Sequence, residues 1–215
     1  MEEKYMRVDK VIARAALSTV AAILVLCAMM FGTLCFAFPQ TMMKFTYDLG
    51  LDSASVQFAT TAYERSGKNI YYIAYATEVA IGAEEYESVL SCGKEFVKDE
   101  AAFETYAEAR DAAMNKEKGV YEQYIYGKIC VAEYCLGEKE NAMIDAKSYL
   151  GGAFPANNAL IAVLLETIKA GDKTTASSVL TTMQTLKTEQ GTTLSSADME
   201  RLDSLITATS EWLNG

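Results

Sequence analysis

The chain changes its pattern once. From Ala15 to Phe38 it runs 24 residues without a charge, and the most polar of them are Ser18, Thr19 and Thr33. As a helix with a 1.5 Å rise, that stretch measures roughly 36 Å, enough to cross a hydrocarbon core of about 30 Å with some tilt. Pro39 cannot continue it and marks its exit. Beyond Pro39, apolar residues recur every three or four positions in segments of about 12–18 residues, each closed by glycine or a charged break. That is the pattern of amphipathic helices, and it predicts an all-α body.

Taken in order, Gln40 to Leu49 reads as a short amphipathic helix with Met42, Met43, Phe45, Thr46 and Leu49 on one side and Gly50 as its stop. Its place in the chain puts it either near the outer membrane surface or against the next helix. Asp52 or Ser53 is then expected to cap a helix running to about Ser66, with Val56, Ala59 and Tyr63 in register. Asn69 to Ile81 carries Tyr72, Ile73, Ala76, Val79 and Ala80 and stops at Gly82. Glu84 to Val97 is built on Tyr86, Val89, Leu90 and Phe96, and Ala101 to Met114 on Phe103, Tyr106 and Ala107. A polar link, Asn115 to Gly119, leads into the second half. Ser195-Ser196-Ala197-Asp198 reads as a capping box with aspartate in the Glu/Gln place. It opens a last helix whose Met199, Leu202, Leu205, Ile206 and Trp212 are expected to cap the array.

The second half holds the most specific pattern. Leu136-Gly137-Glu138-Lys139-Glu140-Asn141-Ala142 is echoed by Ala170-Gly171-Asp172-Lys173-Thr174-Thr175-Ala176, an offset of 34 residues. The pairs Tyr126/Leu160, Ile129/Val163, Cys130/Leu164, Tyr134/Ile168, Ala146/Leu180 and Tyr149/Met183 are apolar in both copies. Glycine turns the chain between two antiparallel helices, and the alanine five residues later lets them approach. Gly-acid-x-x-x-Ala at this period, between an apolar helix A and an apolar helix B, resembles the tetratricopeptide repeat. The resemblance covers two copies over about 119–190. An earlier, degenerate copy is expected from Asn69 to Lys98 around Gly82, with one extra residue and with Val89 in place of the alanine. The helix-A tryptophan and the proline after helix B that the family favours are absent, although Pro155 begins the second clear copy.

Charge adds a direction. Residues 1–14 carry Lys4, Arg7, Lys10 and Arg14 against three acids, whereas residues 39–215 hold 15 basic and 26 acidic residues. Only Lys44 follows the span closely, so the positive-inside rule sets the head in the cytoplasm and the body outside. A cleaved signal peptide is the competing reading, with Cys35-Phe36-Ala37 as a passable cleavage site; the apolar core is long for one and ends in bulky Phe36 and Phe38. Ser18/Ala22 and Ala28/Gly32 are small-residue pairs that suit a weak homodimer through the span. The expected layout is a cytoplasmic head at 1–14, a transmembrane helix at 15–38, a juxtamembrane segment at 39–52 and a helical-repeat domain at 53–215. The acidic body is repelled by phosphate backbones, which argues against nucleic-acid binding.

Candidate chemistry is sparse. The chain has no histidine, which removes the commonest general base and the commonest zinc ligand. It has no Walker loop, GxGxxG, GxSxG, CxxC or EF-hand pattern, so no cofactor or metal is expected and an enzyme is the least favoured reading. Cys92, Cys130 and Cys135 of the body are expected to be buried structural thiols. The tyrosines offer more. Tyr71, Tyr72 and Tyr75, then Tyr121, Tyr124 and Tyr126, fall on the first helices of two hairpins, and Lys128 stands one turn after Tyr124. The resemblance implies that these helices line a groove for partner peptides, and tyrosine suits such a surface through its large area and polar tip. The expectation is a membrane-anchored scaffold that binds a protein or peptide and assists an envelope or secretory assembly. The alternative is a secreted helical protein for a peptide or small ligand.

Overall fold

Apolar stripes at helical spacing, punctuated by proline and glycine, become helices. The computed structural model describes residues 2–148, 159–190 and 195–215, and of residues 2–11 and 190 the backbone alone. Among the described residues the chain is all-α, with eleven helices. They are α1 (Glu2–Ala37), α2 (Pro39–Asp48), α3 (Asp52–Arg65), α4 (Ile70–Gly82) and α5 (Tyr86–Phe96). α6 (Glu100–Ala113), α7 (Val120–Cys135) and α8 (Lys139–Ser148) follow. α9 (Ala159–Lys169), α10 (Lys173–Gln190) and α11 (Ser196–Asn214) complete the set.

α1 carries the apolar stretch. By composition this runs Ile12–Ala37, none of its most apolar window is buried, and it is long and apolar enough to cross a membrane; a signal sequence has the same character. The head is helical and continuous with it, so the boundary drawn after residue 14 is a change of composition and not a break in the backbone. Pro39 sits in the first turn of α2, as a proline can. α2 turns Met42, Met43 and Thr46 into the core against α3 and leaves Phe45 and Leu49 exposed, so the expected single apolar side divides in two.

Side chains cap the starts of α4, α6 and α11. Asn69 accepts from the Tyr71 amide at 3.1 Å and Asp99 from the Ala102 amide at 3.2 Å. Ser195 accepts from the Asp198 amide at 3.2 Å and returns its hydroxyl to the Asp198 carboxylate at 2.7 Å. The expected cap of α3 is a correction. Leu51 holds that position without a side-chain bond, Asp52 lies in the first turn, and the Ser53 hydroxyl reaches the Glu85 carboxylate instead.

One turn recurs. Gly50, Glu84, Gly137 and Gly171 are left-handed, with φ of 71°, 56°, 88° and 67°. After each, the next residue donates its amide back five positions, to the carbonyls of Thr46, Ala80, Glu133 and Thr167, at 2.8–3.1 Å. This is the six-to-one closure that ends a helix in a left-handed residue. Gly50 to Glu84 and Gly137 to Gly171 are each 34 residues apart. Four hairpins result among the described residues: α2/α3, α4/α5, α7/α8 and α9/α10. Their first helices bury equivalent triplets, Met42-Met43-Thr46, Ala76-Thr77-Ala80, Ile129-Cys130-Glu133 and Val163-Leu164-Thr167. Their second helices bury Ser55, Val89, Ala142 and Ala176 five residues after the turn.

That register corrects the earlier copy. Its turn residue is Glu84 and not Gly82, which ends α4 in ordinary helical conformation, and Val89 then stands level with Ala142 and Ala176 without any insertion. Tyr149 and Pro155 lie outside the described residues.

Packing is sequential. α2 meets α3, α3 meets α4, and α4 meets α5; α5 then packs on α7, with α6 set against α4 and α7. α7 meets α8 and α9, α9 meets α10, and α10 meets α11. Two cores form. Residues of α2 to α7 build the first, around Phe96, Phe103, Ile125 and Ile129. Residues of α7 to α11 build the second, around Leu160, Leu164, Met183 and Leu202. α7 contributes to both, which explains why nine of its residues are buried.

Candidate functional site

The three tyrosines of α4 have separate surroundings. Tyr71 is exposed and sets its ring edge-on to Tyr72 at 5.6 Å, while Tyr72 packs against the first core. Tyr75 is half-buried; its hydroxyl donates to the Met43 carbonyl at 3.4 Å and its ring meets Tyr47 edge-on at 6.2 Å. Burial raises its pKa above the usual phenol value. Tyr75 therefore ties α4 to α2.

Tyr121 is buried and held from three sides. Its hydroxyl donates to Glu78 Oε1 at 2.6 Å, Arg110 reaches the same oxygen at 2.9 Å, and the guanidinium lies over the phenol ring at 5.6 Å. Burial first, then the Glu78 carboxylate, hold the phenol protonated well above its usual range. The backbone beneath is set by Asp111, a buried carboxylate that accepts from the Gly119 and Tyr121 amides, both at 2.8 Å. Tyr121 thus pins α4, α6 and α7 together and offers no surface to a partner.

Tyr124 and Lys128 are the pair that reaches the surface together. Tyr124 is 43% exposed, and the Lys128 ammonium lies 5.7 Å over its ring. They form one wall of a groove of about 290 Å3 between α7 and α9. Gly127 and Val131 lie between the walls, and Ile161, Ala162, Leu165, Glu166 and Lys169 supply the other. The helices approach closely because position 127 has no side chain: a Cβ there would stand 3.3 Å from Ala162 Cβ. A mid-helix glycine costs about 1 kcal/mol in propensity, so its place in α7 is explained by that contact. Glu166 pairs with Lys169 at 2.6 Å on the rim, and Leu165 is 52% exposed. Sequence reasoning named the α7 wall and missed the α9 wall. The 34-residue offset makes Ile161 and Leu165 the repeat equivalents of Gly127 and Val131, but that they face each other comes from how α7 and α9 pack.

A wider cleft of about 810 Å3 lies between α3 and α5, with walls that include Thr60, Thr61, Glu64, Ser91 and Glu95 beside Val56, Tyr63 and Ile73. Cys92 at its base is buried, which raises the pKa of the thiol, and it lies 3.9 Å from the Thr60 hydroxyl. Cys130 is buried too, and its thiol is likewise raised. Cys135 departs from the expected burial; it is exposed at the end of α7. Raised thiol pKa values oppose nucleophilic chemistry at neutral pH. Among the described residues no three acids, cysteines or histidines lie close enough to hold a metal ion.

Buried charge gathers where α5, α7 and α8 meet. Glu133 is fully buried, Lys94 stands 2.5 Å from its Oε1, and Asp145 lies 3.5 Å from the same ammonium. Burial, with Asp145 nearby, pushes the Glu133 carboxyl up to about 7. Asp172 is the opposite case. It accepts from Lys139 at 2.6 Å, from the Thr175 amide at 3.0 Å and hydroxyl at 2.7 Å, and from Tyr134 at 3.2 Å, which hold its carboxyl well below the usual range. No family model, curated protein or solved structure matches this chain.

Proposed function

We propose that the chain is a membrane-anchored docking module. In this reading α1 is a retained span, α2 to α11 form a tetratricopeptide-like array on the extracytoplasmic side, and the groove between α7 and α9 receives a segment of a partner protein in an envelope or secretory assembly. The observation that carries it is the groove itself. Tyr124, Leu165 and Lys128 leave apolar area and a positive charge exposed on the first helices of two consecutive hairpins, with Tyr124 resting one side of its ring on Tyr121. Lys128 suits an acidic or carboxylate-bearing segment, and Tyr124 and Leu165 suit an apolar side chain beside it. The family resemblance is supported by the repeated left-handed turn at a 34-residue spacing and by the equivalent buried triplets.

Cross-linking from a photoreactive residue at position 124, in membranes, tests the groove. A discrete partner is expected, and Leu165→Glu or Lys128→Glu should abolish its capture while leaving thermal unfolding unchanged. Capture that persists in both variants places the partner elsewhere and ends the groove reading.

The secreted form is the second reading, since α1 also has the character of a signal sequence. The contact of Arg65 with Phe36 favours retention. The guanidinium lies 4.5 Å over the Phe36 ring and donates to the Phe36 carbonyl, and cleavage after Ala37 forfeits both. Intact mass of the mature protein decides between them.

A further inference from the structure

In a stack of hairpins, each buries its leading face against the helix before it. α4 follows α3 and α7 follows α5, and Val79 and Ala132, five residues before the turn in each, are buried; Glu166, at that place in α9, is partly exposed on the groove rim. α2 has only the end of α1 before it. The residue at the matching place in α2 is Phe45, and it is exposed, as are Phe38 and Leu49; the three are 48–57% accessible. They are not scattered. Thr41, Phe45 and Leu49 fall at i, i+4 and i+8, one uncharged stripe along the helix, and Phe38 stands just before its start. Met42, Met43 and Thr46 occupy the adjoining face against α3. α2 is thus apolar toward α3 and apolar again on a face left uncovered among the described residues.

What covers that face follows from what it is joined to. Phe38 is the single residue between α1 and α2, and its φ of −131° and ψ of 59° break the helix there. Arg65, the last residue of α3, reaches back to the carbonyl and ring of Phe36. The open end of the first hairpin is therefore held at the level where the apolar helix stops. We infer that α2 lies along the membrane surface with Phe38, Phe45 and Leu49 in the headgroup boundary, so that the bilayer takes the place of a preceding hairpin. Helices with one apolar edge and one charged edge bind membranes in this way; Lys44 lies off the stripe, and Asp48 borders it three residues after Phe45. The inference rests on α1 being a retained span.

Single-tryptophan fluorescence of the full chain tests it, in a Trp212→Phe background reconstituted into phosphatidylcholine vesicles with and without brominated acyl chains. Leu24→Trp reports the span, Phe45→Trp and Leu49→Trp report α2, and Tyr124→Trp reports the body. Emission at positions 24, 45 and 49 is expected to fall in brominated lipid, most at 24, with position 124 unchanged. Quenching at 24 alone overturns the inference while leaving the anchor intact, and a blue-shifted but unquenched Phe45→Trp then assigns the face to a second copy of the chain. Absence of quenching at 24 overturns the anchor, and the inference with it.

Discussion

Glu133 holds, in α7, a place that belongs to Thr46, Ala80 and Thr167 in the other three hairpins, and like them it is buried. A carboxylate there is a costly substitute for a small residue unless its charge is met, and the partner that meets it, Lys94, is 46% exposed. Water screens the ammonium, so the pair only partly repays the burial of the acid, and Glu133 is left with its carboxyl pushed up to about 7. The sign of the effect on stability follows. The folded state holds this proton more tightly than the unfolded chain, so the contribution is present in full below the ordinary carboxylate value and is lost as pH rises through about 7. Urea midpoints of the wild type should therefore decline between pH 5 and pH 8, and Glu133→Gln should flatten that decline. Equal slopes in the two proteins would show that Glu133 is ionised in both states. This site was not legible in the sequence, because Glu133 sits inside an apolar run and its partners come from α5 and α8.

At the scale of elements, the informative comparison is between three positions in the α4/α5 hairpin. Glu84 adopts a left-handed conformation with φ of 56°, which costs a residue with a Cβ roughly 1 kcal/mol, whereas Gly82 is an ordinary helical residue with open space where a Cβ would stand. Gly93 is the reverse: a Cβ there would meet Ile129 Cγ1 at 2.7 Å, and Ile129 is fully buried and cannot yield. Glu84→Gly and Gly82→Ala should each raise stability by up to ~1 kcal/mol. Gly93→Ala should lower it by about 1–3 kcal/mol, since overpacking outweighs the gain in helix propensity. Chemical denaturation of the three variants checks the set, and a stabilising Gly93→Ala would mean that α5 and α7 are not in close contact. The same positions show what periodicity reveals. Helix existence and the buried faces of α3, α4 and α5 were readable because apolar residues recur at helical spacing. The repeat register of the first half was not, since Glu84 conceals the turn and the nearby Gly82 suggests a false one. The groove was half legible for a related reason: Tyr124 and Lys128 are one turn apart on one helix, but their facing wall on α9 is specified only by how α7 and α9 pack.

For the whole molecule, sequential packing makes stability a chain of neighbouring interfaces and not one shared core. α7 joins the two cores, and α11 closes the far end of the second by packing on α10. Leu202 is the fully buried residue of that closure, with Leu205, Ile206, Trp212 and Leu213 partly buried around it, and Lys173 of α10 lies 5.8 Å over the Trp212 ring. Leu202→Ala removes a fully buried side chain and should cost about 3 kcal/mol, within the range for leucine truncation in a close-packed core. In a globular core that loss is felt everywhere; in a stack it should be confined to the end. Hydrogen exchange is therefore expected to accelerate on the order of a hundredfold in α10 and α11 while the amides of α3, α4 and α5 keep their protection. Trp212 emission should shift to longer wavelength in the same variant. Uniform acceleration across α3 to α11 would mean that the two cores unfold as one unit, and would remove the argument that the first hairpin needs a separate cover of its own.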